Sequence, residues 1–185
     1  GIVGLGVGTL AAYGRAGYRY RFFEINPDVV DVARTHFSYL RDSAAQVEIV
    51  LGDARQMLER EREPFEVLVI DAFSSDAIPT HLLTLECARI YKAKLKPGGA
   101  LLIHISNKSV DLAPVVRGFA RELGWEAARL HTKGQYGSTW MLLTDNADLL
   151  GSAAIREMTT VYGPKDGSPL VWTDDFASLW RVLRF

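Results

Sequence analysis

The sequence predicts an α/β fold, a doubly wound and mostly parallel sheet finished by an antiparallel hairpin. Three observations predict it. Strand-like and helix-like segments alternate through the first 145 residues, the pattern of parallel strands joined by crossover helices. A glycine-rich turn, Gly4-Leu5-Gly6-Val7-Gly8-Thr9, follows the first strand directly. Acidic residues then stand at the ends of the next three strands.

Each element has a local reason. Gly1-Ile2-Val3 reads as the tail of a strand, so the sequence is expected to continue upstream of Gly1. Tyr18 to Glu24 is rich in aromatic, strand-prone residues. From Pro27 to Leu40 the apolar positions Val29, Val30, Val32, Ala33, Phe37 and Leu40 recur at helical spacing, with Asn26 as N-cap and Pro27 in the first turn. Val47 to Leu51 is a short strand, and a polar helix follows from about Ala54 to Glu61. Phe65 to Ile70 is the continuous apolar run of a buried strand. His81 to Leu95 reads as a helix, turned by Pro97-Gly98-Gly99 into a strand over Ala100 to Ile105. Asp111 to Leu123 is a further helix stopped by Gly124. Glu126 to His131 and Thr139 to Thr144 form the closing pair of strands, joined through Lys133-Gly134-Gln135-Tyr136-Gly137. Beyond Asn146 the pattern weakens, with a helix expected over Ser152 to Val161 and a loop over Tyr162 to Ser168. The expected organisation is a nucleoside-binding catalytic domain over 1–145, its first strand cut short, and a C-terminal extension over 146–185 packed on it.

Composition narrows the function classes. The 185 residues suffice for one domain with a full core. Hydrophobic residues make up 48% and charged residues 23%, a globular mixture. The net charge of −1 and the scattered basic residues offer no footprint for nucleic acid or for an anionic membrane. No apolar stretch of about 18 residues exists, so no membrane contact by this chain is expected. Cys87 is the single cysteine, which excludes an internal disulfide and a cysteine-built metal site. A cytoplasmic location fits this best, including that of a cytoplasmic domain in a membrane-anchored parent.

In such sheets ligands bind outside the carboxyl ends of the strands. Gly4, Gly6 and Gly8 allow a tight turn and close backbone approach there, although a tight strand-to-helix turn alone would use the same residues. Thr9 stands where a dinucleotide fingerprint carries Gly or Ala, which disfavours NAD, and the loop lacks the lysine of a phosphate-binding P-loop. Glu24 ends the second strand at the spacing of a ribose-binding carboxylate; a solvated acid is the plainer alternative. Gly52-Asp53-Ala54 and Asp71 end the third and fourth strands. Three acids on one rim suit adenosine linked to a cation better than a polyphosphate. A sulfonium nucleoside fits, with Glu24 for the ribose, Asp53 for the adenine amino group and Asp71 near the positive sulfur. In the loop Asp71-Ala72-Phe73-Ser74-Ser75-Asp76-Ala77-Ile78-Pro79, two acids can surround an ammonium and accept its proton. At about 4 Å and an effective dielectric of 20, that attraction is roughly 4 kcal/mol before desolvation. Asp76 could equally cap the helix that follows.

The glycine loop, Glu24, Gly52-Asp53, the Asp71 to Asp76 loop and Leu95-Lys96-Pro97-Gly98-Gly99 together resemble the spermidine synthase (polyamine aminopropyltransferase) family. Asp71 to Thr84, His104-Ile105-Ser106-Asn107 and Trp172-Thr173-Asp174-Asp175 resemble a bacterial subgroup of it, some members of which are fused to membrane segments. The resemblance implies a Rossmann-like sheet of the S-adenosylmethionine-dependent methyltransferase type, with about seven strands. It implies aminopropyl transfer from decarboxylated S-adenosylmethionine to an amine such as putrescine, with no metal. By it, Asp76 matches the catalytic base and Asp71 the acid that opens the same loop. The sequence departs twice: Ala72 and Phe73 lengthen that loop, and Val7 stands where the family carries an Asp that holds the donor's free amine. Intact S-adenosylmethionine and methyl transfer are the alternative, as is a nucleoside-binding regulatory domain without turnover.

The remaining candidates carry less. His36 and His131 have no partner at metal-ligand spacing, while His81 and His104 lie nearer the expected rim. Tyr136, Trp140 and Trp172 would wall a pocket or fill the core. Asp174 and Asp175 are expected to cap a helix around Phe176 to Leu183. A homodimer is compatible with the sequence, which does not itself set an oligomeric state.

Overall fold

A computed structural model describes residues 1–72, 79–132, 134, 137–160, 162 and 167–184. The α/β class is as predicted, with eight strands rather than about seven among the described residues. The chain divides into two compact units, Gly1–Arg62 with Val69–Ala72, and Glu63–Leu68 with the described residues from 79 onward.

The first unit holds β1 (Ile2–Val3), β2 (Arg19–Glu24), β3 (Gln46–Leu51) and the end of β4 (Phe65–Ile70), in the order β3-β2-β1-β4. All of these pairings are parallel, with Val3 opposite Phe23 on one side and Ile70 on the other. Ile2, Leu5, Ala11, Phe22, Val30 and Ala33 form its buried core. The segment after the glycine loop, Thr9–Tyr13, is a short 3-10 helix, not a longer α-helix.

Helix α1 (Pro27–His36) starts where expected, since the Asn26 side chain accepts the Asp28 N–H at 2.9 Å. It stops four residues before the predicted end. Phe37 is extended and stacks on Tyr39, and a separate turn, α2 (Tyr39–Asp42), follows. The apolar period runs through this break, which is why periodicity alone joins the two. Helix α3 (Ala54–Arg60) is capped by Asp53, whose Oδ1 accepts the Gln56 N–H.

The second unit contains the first four residues of β4, then β5 (Leu95–His104), β6 (Glu126–His131), β7 (Thr139–Thr144) and β8 (Thr159–Thr160), in the order β4-β5-β7-β6-β8. The β5-β7, β7-β6 and β6-β8 pairings are antiparallel. Pro97-Gly98-Gly99, read as a turn, lies inside β5, and a Cβ on Gly99 would stand 3.0 Å from the Glu66 carbonyl oxygen. Lys96 pairs with the Glu66 side chain and holds its carboxyl below the ordinary glutamate range.

Helix α4 (Leu85–Lys94) begins later than His81, because the Thr84 hydroxyl accepts the Cys87 N–H; Thr80–Leu82 before it is a 3-10 turn. Helix α5 (Ala113–Glu122) is buried along most of its length. The helix predicted over Ser152 to Val161 is shorter, α7 (Ala153–Met158), and an unpredicted one, α6 (Ala147–Gly151), capped by Asn146, precedes it. Ser152 is extended between them, and Thr159–Thr160 pairs with β6 instead of prolonging α7. Asp174 does not cap the final helical turn, which is a 3-10 segment over Leu179–Val182 preceded by Ser178. Its carboxylate instead accepts the Thr84 hydroxyl at 2.8 Å, and its N–H donates to Glu86, so the tail is tied to the start of α4. No helix among the described residues is long and apolar enough to cross a membrane.

Candidate functional site

Parallel register aligns the strand ends of the first unit. Gly4, Glu24 and Asp71 each follow a residue of one cross-strand row, Val3, Phe23 and Ile70. The backbone extends that alignment by one step: Gly4 N–H donates to the Phe23 carbonyl at 2.9 Å, and Asp71 N–H to the Val3 carbonyl at 2.8 Å. Gly52 N–H reaches the Glu24 carbonyl at 2.8 Å, bringing the end of β3 to the same edge. With strands about 4.8 Å apart, Glu24 and Asp71 flank Gly4 at a spacing of about 10 Å. The acids chosen from sequence therefore share one rim.

The glycine loop divides its work. At Gly4 the backbone has φ +93°, and a Cβ would lie 2.2 Å from the Asp71 carbonyl oxygen. Only glycine lets the chain leave β1 past the end of β4. Gly6 also has positive φ, but a Cβ there would meet nothing within 4 Å. Its outward face is open space where a ligand can approach the backbone closely.

Glu24 is 8% exposed, which distinguishes it from the solvated acid that sequence left open. Its Oε2 accepts the Leu5 N–H and its Oε1 the Asn26 N–H, both at 2.9 Å. The carboxylate thus clasps the first turn of the glycine loop and the entry to α1. Each oxygen keeps further lone-pair capacity, so a ribose hydroxyl can donate to it without displacing either bond. Asp53 is half-buried and caps α3, while Ala54 beside it is buried. Asp71 is half-buried at the end of β4. Asp76 and Tyr136 lie outside the described residues.

Of the secondary candidates, His36 ends α1 in the first unit, and the other described ones fall in the second. His81 is exposed in the 3-10 turn before α4, and His104 is half-buried at the end of β5, stacked on Trp140 with centroids 4.7 Å apart. Trp172 is core, 2% exposed. Sequence reasoning missed the contribution of Leu5 and Asn26, because both act through backbone N–H groups that no side-chain pattern advertises. The spacing Glu24-Ile25-Asn26-Pro27, an acid two residues before a helix cap, is the signal available.

The fold is that of the class I S-adenosylmethionine-dependent methyltransferases. Human methyltransferase-like protein 13 in complex with SAH matches it with a TM-score of 0.64 at 15% identity, over 89% of this chain and 84% of that one. Spermidine synthase from Thermotoga maritima matches with a TM-score of 0.57 at 16% identity, over 94% of this chain and 61% of that one. In sequence the chain is similar to a polyamine aminopropyltransferase from Nitrosomonas europaea, 28% identical over 139 residues. That alignment takes in 71% of this chain and 43% of the relative, so the chain spans less than half of that protein's length. No protein-family model matches. By name these relatives and neighbours are transferases of two kinds, for aminopropyl and for methyl groups.

Proposed function

We propose that the chain is the nucleoside-binding catalytic part of a spermidine synthase-like transferase, which moves an aminopropyl group from decarboxylated S-adenosylmethionine to an amine such as putrescine. The observation that carries the nucleoside part is the buried Glu24 carboxylate, anchored by the N–H of Leu5 next to the open face of Gly6. The likeness to a polyamine aminopropyltransferase supports the choice of group transferred. On this reading Glu24 accepts the ribose hydroxyls, Asp53 faces the adenine amino group beside Ala54, and Gly4, Gly6 and Gly8 shape the loop under the nucleoside. Asp71 faces the sulfonium and its side arm.

The acceptor amine loses a proton to the Asp76 carboxylate and attacks the carbon bonded to the sulfonium sulfur. The new C–N bond forms as the C–S bond breaks, and its electron pair returns to sulfur, leaving methylthioadenosine. The sulfur is already a good leaving group, so positioning supplies most of the acceleration, up to about 7–11 kcal/mol. The base adds roughly 10²–10⁴-fold.

Val7 favours a second reading, methyl transfer from intact S-adenosylmethionine, since the aminopropyltransferase pattern has an Asp at that place. Product analysis separates the two. Incubation with each donor and a panel of amines is expected to release methylthioadenosine, and Asp76→Asn should lose at least 10²-fold of that turnover while still binding nucleoside. Release of S-adenosylhomocysteine instead would establish methyl transfer. Nucleoside binding with neither product would leave a sensor domain.

A further inference from the structure

The first unit ends in an open strand. Its order, β3-β2-β1-β4, places β3 at the edge, paired on one side with β2. Gln46 N–H donates to the Tyr18 carbonyl at 2.9 Å, and Gly52 N–H to the Glu24 carbonyl at 2.8 Å. A parallel ladder engages every second residue of a strand, so Gln46, Glu48, Val50 and Gly52 turn their backbone groups toward β2. Val47, Ile49 and Leu51 turn theirs outward, and among the described residues nothing bonds to them. Such a row is a template for a further strand.

The edge carries none of the usual devices that keep strands apart. Over Gln46–Leu51 there is no proline, no lysine and no glycine. The strand's charge is Glu48, whose carboxylate lies 3.6 Å from Arg21 Nη2 on β2. Val47 and Ile49 pack against the apolar core of the unit, which fixes the face taken by the odd-numbered side chains. Leu51, on the same face, is 53% exposed. A groove of about 260 Å³ borders Val47 and Ile49, with Arg34, Phe37, Leu40 and Arg41 along it.

Two copies of this edge fit each other. Set antiparallel about a twofold axis normal to the sheet at Ile49, the strands place Ile49 opposite its own counterpart and Val47 opposite Leu51 of the second copy. Each outward N–H then meets an outward carbonyl, the pattern of hydrogen-bonded antiparallel pairs. Opposite residues share a face, so the apolar side chains of the odd row meet one another. On the other face Glu48 stands opposite Val50 of the second copy, and no like charges are set directly opposite. The twofold uses both edges, so pairing stops at a dimer.

We propose that β3 is the interface of a homodimer, in which the edges of two copies join antiparallel about Ile49. The inference holds whichever group the chain transfers, because every residue in it belongs to the first unit's outer edge.

The test combines sedimentation velocity over a range of concentrations with amide hydrogen exchange, both on the whole chain. The mass is expected to rise with concentration from the 20.5 kDa of one chain toward twice that. Exchange of the Val47, Ile49 and Leu51 amides should slow at least tenfold over the same range. Leu51→Lys, at an exposed side chain, and Leu51→Pro, which removes one outward N–H, should each weaken association roughly tenfold and keep the native circular dichroism. Trp180→Ser, at an exposed residue of the second unit, should leave association unchanged. A monomer at every concentration, with freely exchanging edge amides, would overturn the dimer and leave the edge to a strand of another protein. Edge amides protected in the monomer would refute it in favour of another segment of this chain. A dimer lost in Trp180→Ser but kept in both Leu51 variants would place the interface elsewhere and refute it too.

Discussion

The two units organise themselves by different means. In the first, order at the rim comes from backbone geometry and one buried charge: Gly4 clears the Asp71 carbonyl, and Glu24 clasps two N–H groups. In the second it comes from apolar packing. Helix α5 is buried along most of its length, Leu170 crosses it so closely that a Cβ on Gly118 would fall 1.7 Å from the Leu170 carbonyl oxygen, and Trp172 is sealed into the core. At this rim hydrogen bonds and glycine conformation, rather than packed carbon, set the backbone. Among the described residues beyond β8 no further strand is named, and the tail is held by packing, the Val110–Leu183 bridge and a few polar ties.

That contrast predicts where substitutions hurt most. Trp172→Ala should cost about 3–5 kcal/mol of folding stability, read by urea denaturation, through the cavity it opens in the second unit. A cost below about 1 kcal/mol would mean that the tail contributes little to that core. Glu24→Gln should cost less, about 1–3 kcal/mol, because the amide nitrogen would face an N–H donor it cannot accept from. It should also weaken nucleoside binding in calorimetry; full stability with weakened binding would make Glu24 purely a ligand group. Gly6→Ala should cost least, about 1–2 kcal/mol for a left-handed alanine, since its Cβ meets nothing. On the proposed reading that same methyl group obstructs the nucleoside, so affinity should fall much further than stability. Unchanged affinity would remove the glycine loop from the binding site.

Regular strands are largely legible in the sequence. Phe65–Ile70, Glu126–His131 and Thr139–Thr144 lie where their apolar and β-prone runs put them, since such runs have no comfortable alternative to a buried sheet. The rim acids were legible too, because parallel strands deliver whatever follows them to one edge. Helix ends were less so. The break at Phe37 and the early end of α7 at Met158 depend on which residues find partners nearby, and period alone does not report that.

By itself, then, the sequence determined the α/β class, the order of its strands along the chain and the acids at their carboxyl ends, all of which follow from local periodicity and the geometry of parallel crossovers. Tertiary structure decided what each of those residues is surrounded by. It buried Glu24 against two backbone N–H groups and redirected Asp174 from a presumed helix cap to Thr84. These outcomes depend on hydrogen bonds and contacts between segments distant in sequence, whose partners no local pattern records.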